Sequence, residues 1–211
     1  MKTRKILFFS MLFNILFLLI SCYIFRDKVI QKFVAMKGDS KIVMFGNSLT
    51  AQGKWVELLG RTDVLNSGFP GLCTYHFLGL MQANVIDRHP EICVIEAGIN
   101  DITVGVSQEK IQRNYQTILE TLLKNKIIPV VTLTLFEQND PVSKAEVAEL
   151  NNFLIAYCQR NRIEYLDLNR YLSDSTGLKL EFAVDKTHLN DKAYRIWARE
   201  INKILDQRNI E

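Results

Sequence analysis

The chain has no Cys-x-x-Cys pair and no even framework of cysteines that could staple a small fold. That excludes a structural zinc ribbon and leaves room for one disulfide at most. It also lacks a Gly-rich phosphate loop of the G-x-G-x-x-G or Walker type, so no organic cofactor is expected, and no metal. It has no dense basic cluster interleaved with aromatics. With 26 basic and 23 acidic side chains, a net charge of +3 is too balanced for nucleic-acid binding. Internal repeats and low-complexity stretches are absent too. Histidine is scarce: only His76, His89 and His188 occur.

What is present begins with an apolar N-terminus. Lys2, Arg4 and Lys5 precede an uncharged run from Ile6 to Phe25, in which only Ser10, Asn14 and Ser21 are clearly polar. Twenty residues of helix match the roughly 30 Å hydrocarbon layer. The expectation is a transmembrane or signal segment over residues 1–25. The basic flank would place the remainder on the extracytoplasmic side. Leu19-Ile20-Ser21-Cys22 resembles a bacterial lipobox, so lipid attachment at Cys22 and plain secretion stand as alternatives. Residues 26–39 read as a connector, and residues 40–211 as one globular domain, a length that suits a full core.

Within the domain, strands alternate with helices. Ile42–Phe45, Thr62–Leu65, Glu91–Ala97, Ile127–Leu133 and Ile163–Leu168 read as strands, the last nearer an edge because of Glu164 and Asp167. Ala51–Leu59, Leu78–Ile86, Ser107–Lys124, Ser143–Arg160 and Leu189–Leu205 read as helices. Ser143 followed by Glu146 fits a capping box. Alternation of this kind implies a parallel sheet covered by helices on both sides, with the loops after its strands sharing one edge.

Four polar stretches interrupt this pattern: GNSLT at 46–50, NSGFPG at 66–71, GIND at 98–101 and DKTH at 185–188. Gly46 permits a tight turn, and Ser48 then stands where a strand hands over to a helix, an edge at which open α/β sheets bind ligands. Ser48 is there either as a helix cap or as a nucleophile. An alcohol needs a base to become a nucleophile, and an imidazole, ordinarily titrating near 6.5, suits that task. His188 lies three residues after Asp185, close enough for the carboxylate to orient the ring. The Ser48 N–H, the Gly71 N–H and the Asn100 amide could then stabilise a tetrahedral oxyanion. Each piece also has a purely structural role available: Asp185 as a cap, Asn100 in an Asx turn, Gly71 as a turn glycine after Pro70.

The four stretches, in this order and spacing, resemble the sequence blocks of the SGNH (GDSL-type) hydrolase superfamily. The likeness is nearest to small bacterial members related to platelet-activating-factor acetylhydrolase. It runs from about Lys41 to Leu205 and includes His188-Leu189-Asn190 with Ala193-Tyr194. The resemblance implies a three-layer αβα, flavodoxin-like fold with a five-stranded parallel sheet. It implies Ser48, His188 and Asp185 as the catalytic residues, and Ser48, Gly71 and Asn100 as the oxyanion hole. The implied activity is hydrolysis of acyl or acetyl esters of lipids, lysophospholipids or glycans. An O-acetyl transferase using the same residues, or a binding protein that keeps the fold without chemistry, are the alternatives. One departure stands out: Asn47 occupies the position where the family usually has aspartate, with a modest change in the turn's electrostatics expected. Phe77, Phe136 and Phe182 are candidates to line an acyl site.

Overall fold

A computed structural model describes residues 9–23, 25–26 and 39–210. Five strands form one parallel sheet: β1 (Ile42–Gly46), β2 (Val64–Gly68), β3 (Ile92–Glu96), β4 (Ile128–Thr132) and β5 (Glu164–Leu166), in the order β2-β1-β3-β4-β5. This is the flavodoxin-like order, whose direction reverses between β1 and β3. The expected architecture holds, and β5 is an edge strand.

The sheet is buried on both faces, and β1 shows why its sequence is apolar throughout. Val43 and Phe45 point into one core, with Cys93 and Ile95 of β3. Ile42 and Met44 point into the other, with Ile92 and Val94. The first core is closed by α3 (Thr74–Asn84), α5 (Gln108–Lys124) and α6 (Pro141–Asn161). The second is closed by α2 (Trp55–Leu59) and α8 (Asp191–Gln207), where Trp55 and Trp197 meet edge to face at 4.9 Å. Short helices α1 (Ser48–Gln52), α4 (Ile99–Thr103) and α7 (Asn169–Leu172) follow β1, β3 and β5.

Several boundaries differ from the sequence pattern for local reasons. The helix expected over Ala51–Leu59 is broken at Gly53, which is extended, and the Trp55 indole N–H donates instead to the Thr50 carbonyl at 2.8 Å. Strand β2 runs on through Asn66-Ser67-Gly68, because β1 offers it a parallel partner as far as Gly46. The Ser143 capping box does not form. Asp140 caps α6 by accepting from the Ser143 N–H at 2.9 Å, and Pro141, with its preset φ, takes the first helical turn. Phe77 is no acyl-site residue; it is fully buried against Phe45.

The N-terminal expectation is overturned. Among the described residues no helix is long and apolar enough to cross a membrane. With that expectation, the membrane partner at 6–25, the outer-face placement and the lipid anchor at Cys22 lose their support. Residues 1–8, 24 and 27–38 lie outside the described residues, and with them nearly all of the expected connector.

Candidate active site

The four polar stretches meet at the carboxyl ends of β1, β2 and β3. Gly46, the last residue of β1, has ordinary extended backbone; what it provides is closeness. A Cβ there would collide with the Thr50 hydroxyl and the Glu96 carbonyl. Asn47 follows, fully buried, as the N-cap of α1. Its Oδ1 accepts from the Leu49 N–H at 2.8 Å, and its Nδ2 donates to Glu96 Oε1 at 3.2 Å. Ser48 is thereby the first helical residue, half-buried, with an N–H that an α-helix leaves without an intrahelical partner.

His188 comes to Ser48 from 140 residues away in sequence. Its Nε2 lies 3.1 Å from Ser48 Oγ, and its Nδ1 lies 2.8 Å from Asp185 Oδ2. Asp185 Oδ1 accepts from the backbone N–H of His188 at 2.7 Å and of Thr187 at 2.8 Å. Those two backbone donors, followed by the ring, hold the Asp185 carboxyl down to about 2, although half its side chain is exposed. The other histidines are occupied elsewhere: His76 Nδ1 accepts from the Cys73 N–H, and His89 pairs with Asp39 at the surface.

The remaining two stretches are stitched to this turn. The Phe69 N–H donates to the Gly46 carbonyl at 2.7 Å, and Asn66 Nδ2 donates to the carbonyls of Ala51 and Gly53. Gly71 has φ +77 and nothing within 4 Å of where a Cβ would stand, so its backbone faces open space. Asn100, on α4, donates one amide hydrogen to the Leu72 carbonyl at 2.9 Å. The second hydrogen of that amide is left to serve another acceptor. Gly98 precedes α4 at φ +105, where a side chain would also strike Leu150 and Thr134. Asp101 accepts from the backbone and hydroxyl of Thr74, which fixes the loop after β2 against the loop after β3.

Two features of the site carry no sequence motif. Glu96 is a buried carboxyl beneath the Ser48 turn. Glu137, 4% exposed, accepts from the Thr187 hydroxyl and lies 3.6 Å from Lys186 Nζ. The Gln138 N–H also donates to the Lys186 carbonyl. The loop after β4 therefore straps down the segment that carries Asp185 and His188.

A serine hydroxyl on an imidazole that is in turn held by a carboxylate is the apparatus of acyl transfer. The sequence pattern of the GDSL-like Lipase/Acylhydrolase family matches residues 38–196. The chain belongs to this family. Among solved structures, a GDSL-like lipase from Bacteroides thetaiotaomicron superposes with a TM-score of 0.72 at 22% identity, covering 79% of this chain and 88% of that one. The lipase/acylhydrolase from Enterococcus faecalis gives 0.71 at 21% identity, covering 80% and 96%. These two likenesses speak for the fold. An N-acylneuraminate cytidylyltransferase of Streptococcus agalactiae is 25% identical over 160 residues, 71% of this chain. The chain spans 38% of that relative's length.

Proposed function

We propose that the SGNH hydrolase cleaves its ester through an acyl-enzyme formed on Ser48, with His188 as general base and acid and Asp185 as the group that orients it. The observation that carries this is the continuous contact from Ser48 Oγ to His188 Nε2 and from His188 Nδ1 to Asp185. His188 takes the Ser48 proton as Oγ attacks the ester carbonyl. The oxyanion that forms is met by the N–H groups of Ser48 and Gly71 and by the Asn100 amide. As the carbon–oxygen bond breaks, His188 returns the proton to the departing alkoxide. Water then attacks the acyl-enzyme, giving its proton to His188. Collapse frees the acid and restores the Ser48 hydroxyl with that proton.

The substrate we infer is a short acyl ester, above all an acetyl ester, of a polar sugar alcohol. His188 and Asp185 keep 29% and 54% of their side-chain surface exposed, so the reacting centre lies near the surface. A long acyl chain would need apolar cover, worth about 0.8 kcal/mol per buried methylene, whereas an acetyl group does not. The likeness to an enzyme named for N-acylneuraminate, a polar acidic sugar, points the same way. The test is a chain-length series of nitrophenyl esters together with O-acetylated xylo-oligosaccharides and O-acetylated N-acetylneuraminate. Acetyl esters should give the highest kcat/KM. A rate that climbs with chain length would mark a lipid acyl ester instead. Formation of transferred product when an alcohol acceptor is supplied, in excess of free acetate, would mark a transferase.

A further inference from the structure

Glu96 is a buried carboxyl for which the ester cleavage above has no use. It occupies the last position of β3, in register with Gly46, and is fully excluded from solvent. Asn47 Nδ2 reaches its Oε1, while Oε2 is buried without a hydrogen-bond partner. Asn47 spends its own oxygen on the α1 turn that begins with Ser48. Asn47, through its side-chain amide and its backbone N–H, therefore joins the nucleophile turn to the end of β3. Two residues further along that chain comes Gly98, and four further comes Asn100.

Among the described residues no counter-charge compensates Glu96. The titratable groups that face it are Asp101 on α4, Tyr115 on α5 and Tyr194 on α8. Both phenols already donate to backbone carbonyls, Tyr115 to Ala97 and Tyr194 to Leu49. Asp101 is a second acid, held by Thr74. Among the described residues no cation acts on the Glu96 carboxyl. Charging it would place a buried anion beside another acid with only the side-chain amide and backbone N–H of Asn47 to set against the loss of water, an expensive arrangement.

We propose that Glu96 is a positioning residue: its uncharged carboxyl braces Asn47, and through it the Ser48 turn, against the strand that delivers Asn100, and its ionisation disables the site. Burial supports this by pushing Glu96 up to about 8. When the Oε2 proton leaves, relief requires water to enter or the turn to move. Either displaces the Ser48 N–H and hydroxyl from the oxyanion donors. The brace rests on the proposed role of Ser48 and is tested so that the two can fail separately.

The experiment measures kcat/KM for nitrophenyl acetate from pH 5 to 10 with the full chain, corrected for spontaneous hydrolysis. Fluorophosphonate labelling of Ser48 is read at each pH. The parent should lose activity and labelling above about pH 8 through one ionisation. Glu96→Gln keeps the shape and stays neutral; it should lower kcat/KM less than about tenfold at pH 6.5 and remove the alkaline loss. Asn47→Asp keeps the helix cap but sets a carboxylate against Glu96. The pair then shares one proton, and the alkaline loss should move at least one pH unit higher. Asn47→Asp decides the matter even if Glu96→Gln folds badly. An alkaline loss that persists in Glu96→Gln, or that stays in place in Asn47→Asp, overturns the brace alone. A parent that fails to label at Ser48 overturns the nucleophile assignment and the brace with it.

Discussion

Asp185 grips His188 at two points: Oδ1 accepts from its backbone N–H at 2.7 Å, and Oδ2 faces its ring Nδ1 at 2.8 Å. With the Asp185 carboxyl held down to about 2, it is charged at every pH at which the protein would be assayed. An acid limb in kcat/KM above pH 5 therefore belongs to an imidazole, the side chain that ordinarily titrates near 6.5. Asp185→Asn should leave the loop folded but favour the wrong ring tautomer. The equivalent change in serine proteases lowers kcat by about 10⁴. Here a loss of about 10²–10³ is expected, because the Asn side-chain oxygen can still accept from the backbone N–H of His188 and Thr187. A pH series of kcat for both proteins checks this; an unchanged rate would remove Asp185 from the relay.

Ser48→Ala should abolish ester hydrolysis and fluorophosphonate labelling while circular dichroism and Tm stay near the parent. The helix cap belongs to Asn47, not Ser48, so the hydroxyl is dispensable to the turn. Turnover well above background from the pure variant would require another nucleophile.

Asn100→Ala removes one oxyanion donor, an effect of about 3–4 kcal/mol in comparable sites and so a hundredfold to thousandfold in kcat. It also releases the Leu72 carbonyl, so a small fall in Tm accompanies it. KM should hardly move. A steady kcat with a large rise in KM would make Asn100 a ground-state contact.

Much of this arrangement is legible in the sequence. The run Ile42–Phe45 announced a strand buried on both faces, and the four polar stretches announced the loops at one sheet edge. What escaped the sequence are contacts between residues far apart along it. Glu96 reads as the polar end of the apolar run ICVIEAG, and nothing local reveals that its partner is Asn47, 49 residues earlier. Glu137 reads as one more polar residue of a loop, although it bonds Thr187, 50 residues later. Asp140 is the cap, although Ser143 and Glu146 match a capping motif by spacing alone. The N-terminal run misled in the opposite sense. Its hydropathy suggests a membrane span, while among the described residues no helix is long and apolar enough to make one.

Stability should also report Glu96. Its folded-state value near 8 stands above the ordinary carboxyl value of 4.5. The folded protein therefore holds this proton more tightly than the unfolded chain. The resulting contribution is complete below about pH 4.5 and is lost progressively as pH rises towards 8, by about 1.4 kcal/mol per unit. Glu96→Gln removes that dependence. Urea unfolding at pH 5, 6, 7, 8 and 9 should show the variant gaining on the parent up to about pH 8 and running parallel above it. Parallel curves throughout would mean that Glu96 ionises as an ordinary carboxyl.

The strap from Glu137 to Thr187 gives the last expectation. Thr187 uses its hydroxyl on Glu137 and its backbone N–H on Asp185, so it connects a buried carboxyl directly to the group that orients His188. Thr187→Val preserves shape and the backbone bond but deletes the hydroxyl. Among the described residues Glu137 then keeps only the largely exposed Lys186 as a side-chain partner. A hydrogen bond to a charged group contributes about 1.5–3 kcal/mol, and part of that loss should appear as looser placement of the Asp185–His188 segment. We expect kcat to fall about threefold to tenfold, with KM nearly constant and the acid limb of the pH profile unmoved, since Asp185 and His188 are both intact. Thr187→Ser should recover most of the rate because it restores the hydroxyl. If serine at this position were as slow as valine, the methyl group and not the bond to Glu137 would be what holds the loop.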